Sequence, residues 1–281
     1  MTTNLKSVGA DWVRITTDWE PTARAWGRLA RLIVFPAKAA QRALASARRL
    51  GYTGYASDGI FLGSRPDGTM LDMSSETARE YGLWALNKGG RASRLDLQVT
   101  LDVGPEIKRI IGEVFKDACA HKYGRGQPPD VEARLGRGGF RSVTIGRRSS
   151  QFYARVYDKG EESKDKTMQG WLRYEIEIKA EAAAAVALAW RCAANADAFV
   201  LAYVAQWFAA HGVTIFEEMP QPISMPRPSR RKSNEQSKMA WLQRAIAPTV
   251  ARLMDVVGVQ QVMGALVPDG IDLRDIPPAV G

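Results

Sequence analysis

Two short stretches of this chain carry residues suited to work on a phosphodiester. Gln151 to Lys159 alternates so that Tyr153, Arg155, Tyr157 and Lys159 share one face of a strand. Leu172 to Lys179 does the same with Arg173, Glu175, Glu177 and Lys179. A free tyrosine, with a pKa of about 10, is mostly protonated at neutral pH and is then a weak nucleophile. Neighbouring cations such as Arg155 and Lys159 favour its phenolate and offset charge gathering on phosphoryl oxygens. A hydroxyl, cations and paired carboxylates on one sheet surface are the ingredients of phosphoryl chemistry rather than of packing. The plainer reading of the second stretch is a cross-strand ladder of ion pairs.

Strands must hold these faces, and the pattern supplies them. Arg94 to Val103 is the cleanest alternation: Arg94, Asp96, Gln98, Thr100 and Asp102 on one side, Leu95, Leu97, Val99, Leu101 and Val103 on the other. One face packs on a core and one is polar, as in an antiparallel sheet with a functional face. Further strands are expected at Asp11 to Thr17, Ser142 to Gly146, Phe152 to Asp158, Leu172 to Lys179 and, at an edge, Val213 to Glu217. Pro66-Asp67-Gly68 is the turn of a hairpin between Gly59 to Leu62 and Thr69 to Met73. Helices are expected over Pro21 to Leu50 with a break near Pro36, over Ser74 to Leu86, from Pro105 to Ala120, and along the Ala-rich stretch Ala182 to Ala210. The order of elements before Val103 resembles the order after it. The fold class is therefore α+β, a central antiparallel sheet built from two similar halves with helices on one face, plus a small C-terminal helical appendage.

The organisation expected is a domain over residues 1–218 with halves at about 10–103 and 94–218. A basic, Pro-rich linker follows at 219–240, then a small helical tail at 241–281. The 281 residues include 39 Lys and Arg against 30 Asp and Glu, a net charge of +9. That balance favours a polyanion, nucleic acid first and a membrane surface second. Cys119 and Cys192 are too few and too far apart for a disulfide framework. Ala182 to Ala210 is interrupted by Arg191, Asn195 and Asp197, and Met1 to Val13 has no apolar signal core, so a cytoplasmic protein without a membrane span is expected.

Taken together, Ser142 to Ser150, the Arg155-x-Tyr157-Asp-Lys159-Gly160 segment and Trp171 to Lys179, preceded by Arg94 to Asp102, resemble the Rep_trans replication initiation factors. That family includes rolling-circle plasmid initiators, filamentous-phage initiators and related relaxases. The resemblance covers Trp12 to Glu218. It implies an enzyme whose tyrosine attacks one origin strand, leaving a 5′-phosphotyrosine and a free 3′-hydroxyl, and by alignment with the family segment that tyrosine is Tyr157. Tyr153 shares its face and is the rival nucleophile, or a platform for a base or sugar. Mg²⁺ or Mn²⁺ would polarise the phosphate, and such hard cations take oxygen ligands. Asp96 and Glu175 are the first candidates to hold the ion, Asp102 and Glu177 the second. Family members often carry an Asp where this chain has Thr100, with Asp102 displaced by two. The only histidines, His121 and His211, are isolated in sequence, which leaves carboxylates as the available ligands.

Arg134, Arg137, Arg141, Arg147 and Arg148 surround Gly136, Gly138 and Gly139, and such a loop can meet phosphates. Pro21 to Leu50, with seven basic and no acidic residues, offers Arg28 and Arg31 to DNA, or is simply a solvated helix with one buried side. Origin DNA is the partner implied, with a host helicase and a second copy of the chain as further ones. A conjugative relaxase and a non-catalytic DNA-binding regulator are the alternatives on the same fold.

Overall fold

The strands of this chain pair in an order that runs outward symmetrically from the middle. The structure, a computed structural model, describes residues 4–34, 45–57, 59–123, 128–136, 139–226, 247–258 and 261–262. The chain divides into two compact units, Met1–Ser229 and Arg230–Gly281. Among the described residues of the first, ten strands form one sheet. They are β1 (Asn4–Thr17), β2 (Ala45–Arg49), β3 (Tyr52–Ser57), β4 (Ile60–Arg65), β5 (Gly68–Ser74), β6 (Arg91–Asp102), β7 (Val131–Gly136), β8 (Gly139–Ile145), β9 (Phe152–Asp158) and β10 (Trp171–Lys179). Their order is β2-β3-β4-β5-β1-β6-β10-β9-β8-β7. All pairings are antiparallel, and the two halves meet at β1 and β6.

The helices are α1 (Glu20–Val34), α2 (Ser75–Asn87), α3 (Ile107–Ala120), α4 (Lys159–Ser163), α5 (Ala180–Cys192) and α6 (Ala196–Ala209). Each half thus runs strand, helix, four strands, helix, and the second half adds the short α4 and then α6. At matching strand-to-helix junctions Ser75 and Ala180 both adopt a left-handed backbone, with φ of 54° and 51°. In the second unit α7 (Ala247–Val257) is described.

Period-two alternation sorts the sheet into an apolar and a polar face. Val13, Ile15, Leu71, Met73, Leu95, Leu97, Val99, Leu101, Ile176 and Ile178 are buried in a core shared with Trp26 of α1, Ala85 and Leu86 of α2, Ile111 of α3, Val186 of α5 and Phe208 of α6. At ~25 cal/mol per Å² of apolar surface, this layer is the main stabilising term of the fold. No helix among the described residues is long and apolar enough to cross a membrane.

The structure corrects several expected elements. The helix expected from Pro21 to Leu50 is described as α1 as far as Val34, residues 35–44 lie outside the described residues, and Ala45–Arg49 is strand. Leu50 and Gly51, with φ of 51° and 81°, close a two-residue turn between Arg49 and Tyr52. Pro36 lies outside the described residues. The Gly/Arg-rich loop contributes a strand, β7, paired with β8. Ala182 to Ala210, open in sequence to one helix or a pair, is a pair, because the Asn195 side chain accepts the backbone N–H of Ala198 at 3.0 Å and caps α6. Val213 to Glu217 is not a strand. Of the tail, residues 241–246, 259–260 and 263–281 lie outside the described residues, as does most of the basic stretch 219–240.

Candidate active site

The polar face is widest where β6, β10, β9 and β8 run side by side. Register sets its rows: Asp96, Glu177 and Tyr153 are neighbours across three strands. Gln98, Glu175, Arg155 and Thr144 form the next row, and Thr100, Arg173, Tyr157 and Ser142 the one after. β1 extends the first row, since Trp12 lies opposite Asp96.

These neighbours bond across the rows. The Tyr157 hydroxyl donates to Glu175 Oε2 at 2.7 Å, and Arg155 donates to the other oxygen of the same carboxylate. Arg94 forks onto Asp96 through Nε at 2.9 Å and Nη2 at 2.6 Å. The same Nη2 reaches Glu177 Oε2 at 3.3 Å, and Lys179 Nζ lies 2.7 Å from Glu177 Oε1. Arg173 donates to Thr100 at 3.0 Å and to Asp11 at 2.7 Å. Asp96, Glu175 and Glu177 are all buried polar groups, which persist only when paired in this manner.

Two openings flank Arg155. One, of about 420 Å³, is lined by Trp12, Arg94, Asp96, Glu177 and Lys179. The other, of about 350 Å³, is lined by Tyr153, Tyr157, Arg134, Arg141 and Thr144. Both share Arg148, Arg155 and Glu162, so they form one cleft with the acid pair at one end and the tyrosines at the other. Tyr157 is only 7% exposed, and what it exposes faces this cleft.

Burial raises the Asp96 carboxyl to about 7, against the pull of Arg94, with Glu175 and Glu177 adding repulsion. Tyr157 is held well above the ordinary tyrosine range, first by burial and then by the Glu175 carboxylate, which together outweigh Arg173 and Arg155. The expectation that flanking cations favour phenolate is thereby corrected: at rest the phenol keeps its proton and shares it with Glu175. Arg155 Nε is buried without a hydrogen-bond partner among the described residues.

Other sequence candidates are placed differently. Lys159 is not on the strand face: Asp158 Oδ1 accepts the N–H of Glu161 at 3.0 Å and starts α4, and Lys159 Nζ bonds Glu162 at 2.6 Å at the cleft wall. Asp102 shares the face of Asp96 but sits six residues along β6, about 20 Å away at ~3.3 Å per residue. There it accepts from the Gly104 N–H at 3.2 Å and pairs with Lys6 at 3.2 Å. Arg134, Arg141 and Arg148 line the cleft, and Arg148 lies 5.7 Å over the Tyr153 ring. Arg147 turns away to Asp130. Arg28 is exposed in a separate groove beside Trp84 and Lys88. Arg137 and the side chain of Arg31 lie outside the described residues. His121 and His211 are not isolated in space, since both pack on Tyr123, at ring distances of 4.7 Å and 5.9 Å, but neither lines the cleft.

Among the described residues no three His, Cys, Asp or Glu side chains converge to enclose a metal ion. A pair does converge: Asp96 and Glu177 share a single guanidinium nitrogen. That donor set fits Mg²⁺ or Mn²⁺, because such ions are commonly held by one or two carboxylates and complete their shell with water and substrate phosphate. Sequence reading missed Trp12 and Asp11, which enter from β1, and the parity of Arg94 with Asp96 was the available sign that Arg94 belongs here.

A tyrosine on a carboxylate, an acid pair and converging arginines equip this face for phosphodiester chemistry. The sequence profile of the replication initiation factors (Rep_trans) matches residues 111–267, and the chain belongs to that family. The matched span includes Tyr153, Arg155, Tyr157, Glu175 and Glu177 and leaves β6 with Asp96 outside it. Among solved structures, the rolling circle replication initiator protein from Geobacillus stearothermophilus is similar over 65% of this chain and 78% of that one, with 16% identity and a TM-score of 0.44. No curated protein matches the chain.

Proposed function

We propose that this replication initiation factor nicks and rejoins one DNA strand at an origin through a covalent phosphotyrosine. The observation that carries this reading is the Tyr157 hydroxyl donating to Glu175 at 2.7 Å in a cleft lined by Arg134, Arg141, Arg148 and Arg155. Tyr157 Oη attacks the phosphorus as its proton passes to Glu175. The P–O3′ bond breaks, the 3′ oxygen leaves and takes up a proton, and the 5′ phosphate stays on the tyrosine. Rejoining reverses each step. Glu175 is general base here because the phenol is not ionised beforehand. Arg155, whose partly exposed side chain lines both openings, binds a phosphoryl oxygen as charge builds. Arg134, Arg141 and Arg148 hold the strand by its phosphates.

Asp96 and Glu177 would hold a divalent cation, which when bound supplies Lewis-acid polarisation of the phosphate. Glu175 then serves the tyrosine rather than the ion. Asp102 has no part in this arrangement.

The test incubates the full chain, Mg²⁺ or Mn²⁺ and supercoiled plasmid bearing the cognate origin. Open-circle DNA and protein-linked DNA are both expected. Both disappear in Tyr157→Phe and persist in Tyr153→Phe. Adduct formation by Tyr157→Phe overturns the assignment, and origin binding without any adduct by the wild type means a regulator instead.

A further inference from the structure

We propose that Arg94 is a resident counter-cation of the Asp96–Glu177 pair, held there by Trp12 and exchanged for the divalent ion when that ion binds. The inference rests on the reading that this pair is the ion site. Its ground is where one nitrogen lies. Arg94 Nη2 is 2.6 Å from Asp96 Oδ2 and 3.3 Å from Glu177 Oε2, so a single cationic group is shared by two carboxylates from two strands. An ion ligated by those oxygens occupies the same space.

Arg94 also stands between the acids and solvent. Its side chain is 22% exposed, while those of Asp96 and Glu177 are 2% and 9% exposed. Two carboxylates this buried need a counter-charge in the ion-free protein, and leaving one without its partner is strongly destabilising. Lys179 serves Glu177, but Asp96 is forked by Arg94.

Trp12 is the positioning residue. Its ring lies 4.4 Å from the Arg94 guanidinium carbon and opposite Asp96 in the β1–β6 register. Its indole N–H donates to Asp72, a fully buried carboxylate that Arg14 and Arg49 also hold, at 2.9 Å and 2.6 Å. The shelf under Arg94 is therefore fixed from the first half of the sheet. Stacking on a ring face uses none of the guanidinium N–H groups, so this contact survives when the fork on Asp96 opens. Ion binding is then an exchange of cations rather than the filling of a bare acidic site.

The experiment titrates Mn²⁺ into the full chain without DNA, reading free Mn²⁺ by electron paramagnetic resonance, with the thermal midpoint in EDTA and in Mn²⁺ as a second measurement. Arg94→Gln is expected to bind Mn²⁺ about tenfold or more tightly than wild type, since one competing charge at contact distance is gone. Its midpoint falls in EDTA and recovers further in Mn²⁺ than that of the wild type. Arg94→Lys, which keeps a charge without the fork, tightens binding less and serves if the Gln variant does not fold. Trp12→Leu tightens binding by a smaller factor, and that gain disappears in the Arg94→Gln background, which a merely structural tryptophan does not produce. Unchanged or weaker Mn²⁺ binding in Arg94→Gln and Arg94→Lys overturns the exchange. Undiminished binding in Asp96→Asn overturns instead the reading of the pair as the ion site, and the exchange with it.

Discussion

Each half of the sheet carries a buried carboxylate on the strand that leads into its left-handed junction, Asp72 before Ser75 and Glu175 before Ala180, and the two are treated in opposite ways. In the first half Asp72 of β5 lies between Arg14 of β1 and Phe61 of β4. It is closed by Trp12, Arg14 and Arg49, and Tyr52, Phe61 and Met70 form a small apolar cluster around it. In the second half Glu175 of β10 lies between Gln98 of β6 and Arg155 of β9, with a tyrosine hydroxyl on its free oxygen and a cleft beyond. Where β4 offers Phe61, β9 offers Tyr153, Arg155 and Tyr157. A repeated scaffold therefore does not make a site by itself. The difference lies in whether the acid's partners are three locked cationic and indole donors or include a tyrosine hydroxyl that borders an opening.

The largest expected effect separates chemistry from stability. Glu175→Gln lowers the rate of adduct formation by about 10²–10⁴-fold, the usual worth of a general base, and shifts the urea midpoint little, because Arg155 is 31% exposed and can turn to water. Asp72→Asn does the reverse, leaving Arg14, only 18% exposed, without its charge partner at a cost of about 3–5 kcal/mol. Equal losses of stability in the two variants would erase the contrast between the halves.

A second effect concerns pH. Asp96 titrates at about 7 in the folded chain against an ordinary 3.8, so the unfolded chain ionises first as pH rises. Folding stability is greatest below the lower value, declines between the two and levels above the upper one. Urea midpoints of the wild type are expected to fall across that window, and those of Asp96→Asn to fall less. A steeper decline in the variant would mean that Asp96 is not the buried acid responsible.

Smaller still is the response of two helix glycines that face the sheet. A Cβ at Gly82 in α2 would meet Val13 Cγ2 at 2.7 Å, on a central strand with no room to move. One at Gly112 in α3 would meet the Phe140 ring at 2.9 Å, on the outlying β8, where the ring is partly exposed. Gly82→Ala is expected to cost about 1–3 kcal/mol by overpacking, and Gly112→Ala less, as read by thermal unfolding. The smallest effect is at the left-handed junction of β10 and α5. Ala180→Gly relieves strain there and raises stability by up to about 1 kcal/mol, whereas the same change in a helix interior lowers it by a similar amount.

Much of the fold, and which residues share the candidate site's face, was legible because the polar faces of β6, β9 and β10 are written at period two. That pattern alone grouped Tyr153, Arg155 and Tyr157, and grouped Glu175 with Glu177. Register between strands is not written in either strand, so only the structure shows that Glu177 lies opposite Asp96 and Glu175 opposite Arg155. Lys159 was misplaced by extending the period past Asp158, whose side chain ends the strand and opens α4. Asp102 illustrates a related limit, since sharing a face says nothing of distance along it. The β2–β3 hairpin was illegible because Leu50 takes a left-handed backbone normally left to Gly or Asn.

The seam between β1 and β6 carries one more implication. Along it the backbone groups of Asn4 to Thr16 cover those of Arg91 to Asp102, so the outward borders of the sheet fall on β2 and β7. A fragment beginning at β6 would emerge with that long strand stripped of its neighbour on one side, its backbone groups open to any extended peptide. The amino-terminal half is thus a permanent chaperone for its sibling, and the carboxy-terminal half of the sheet is not a detachable module.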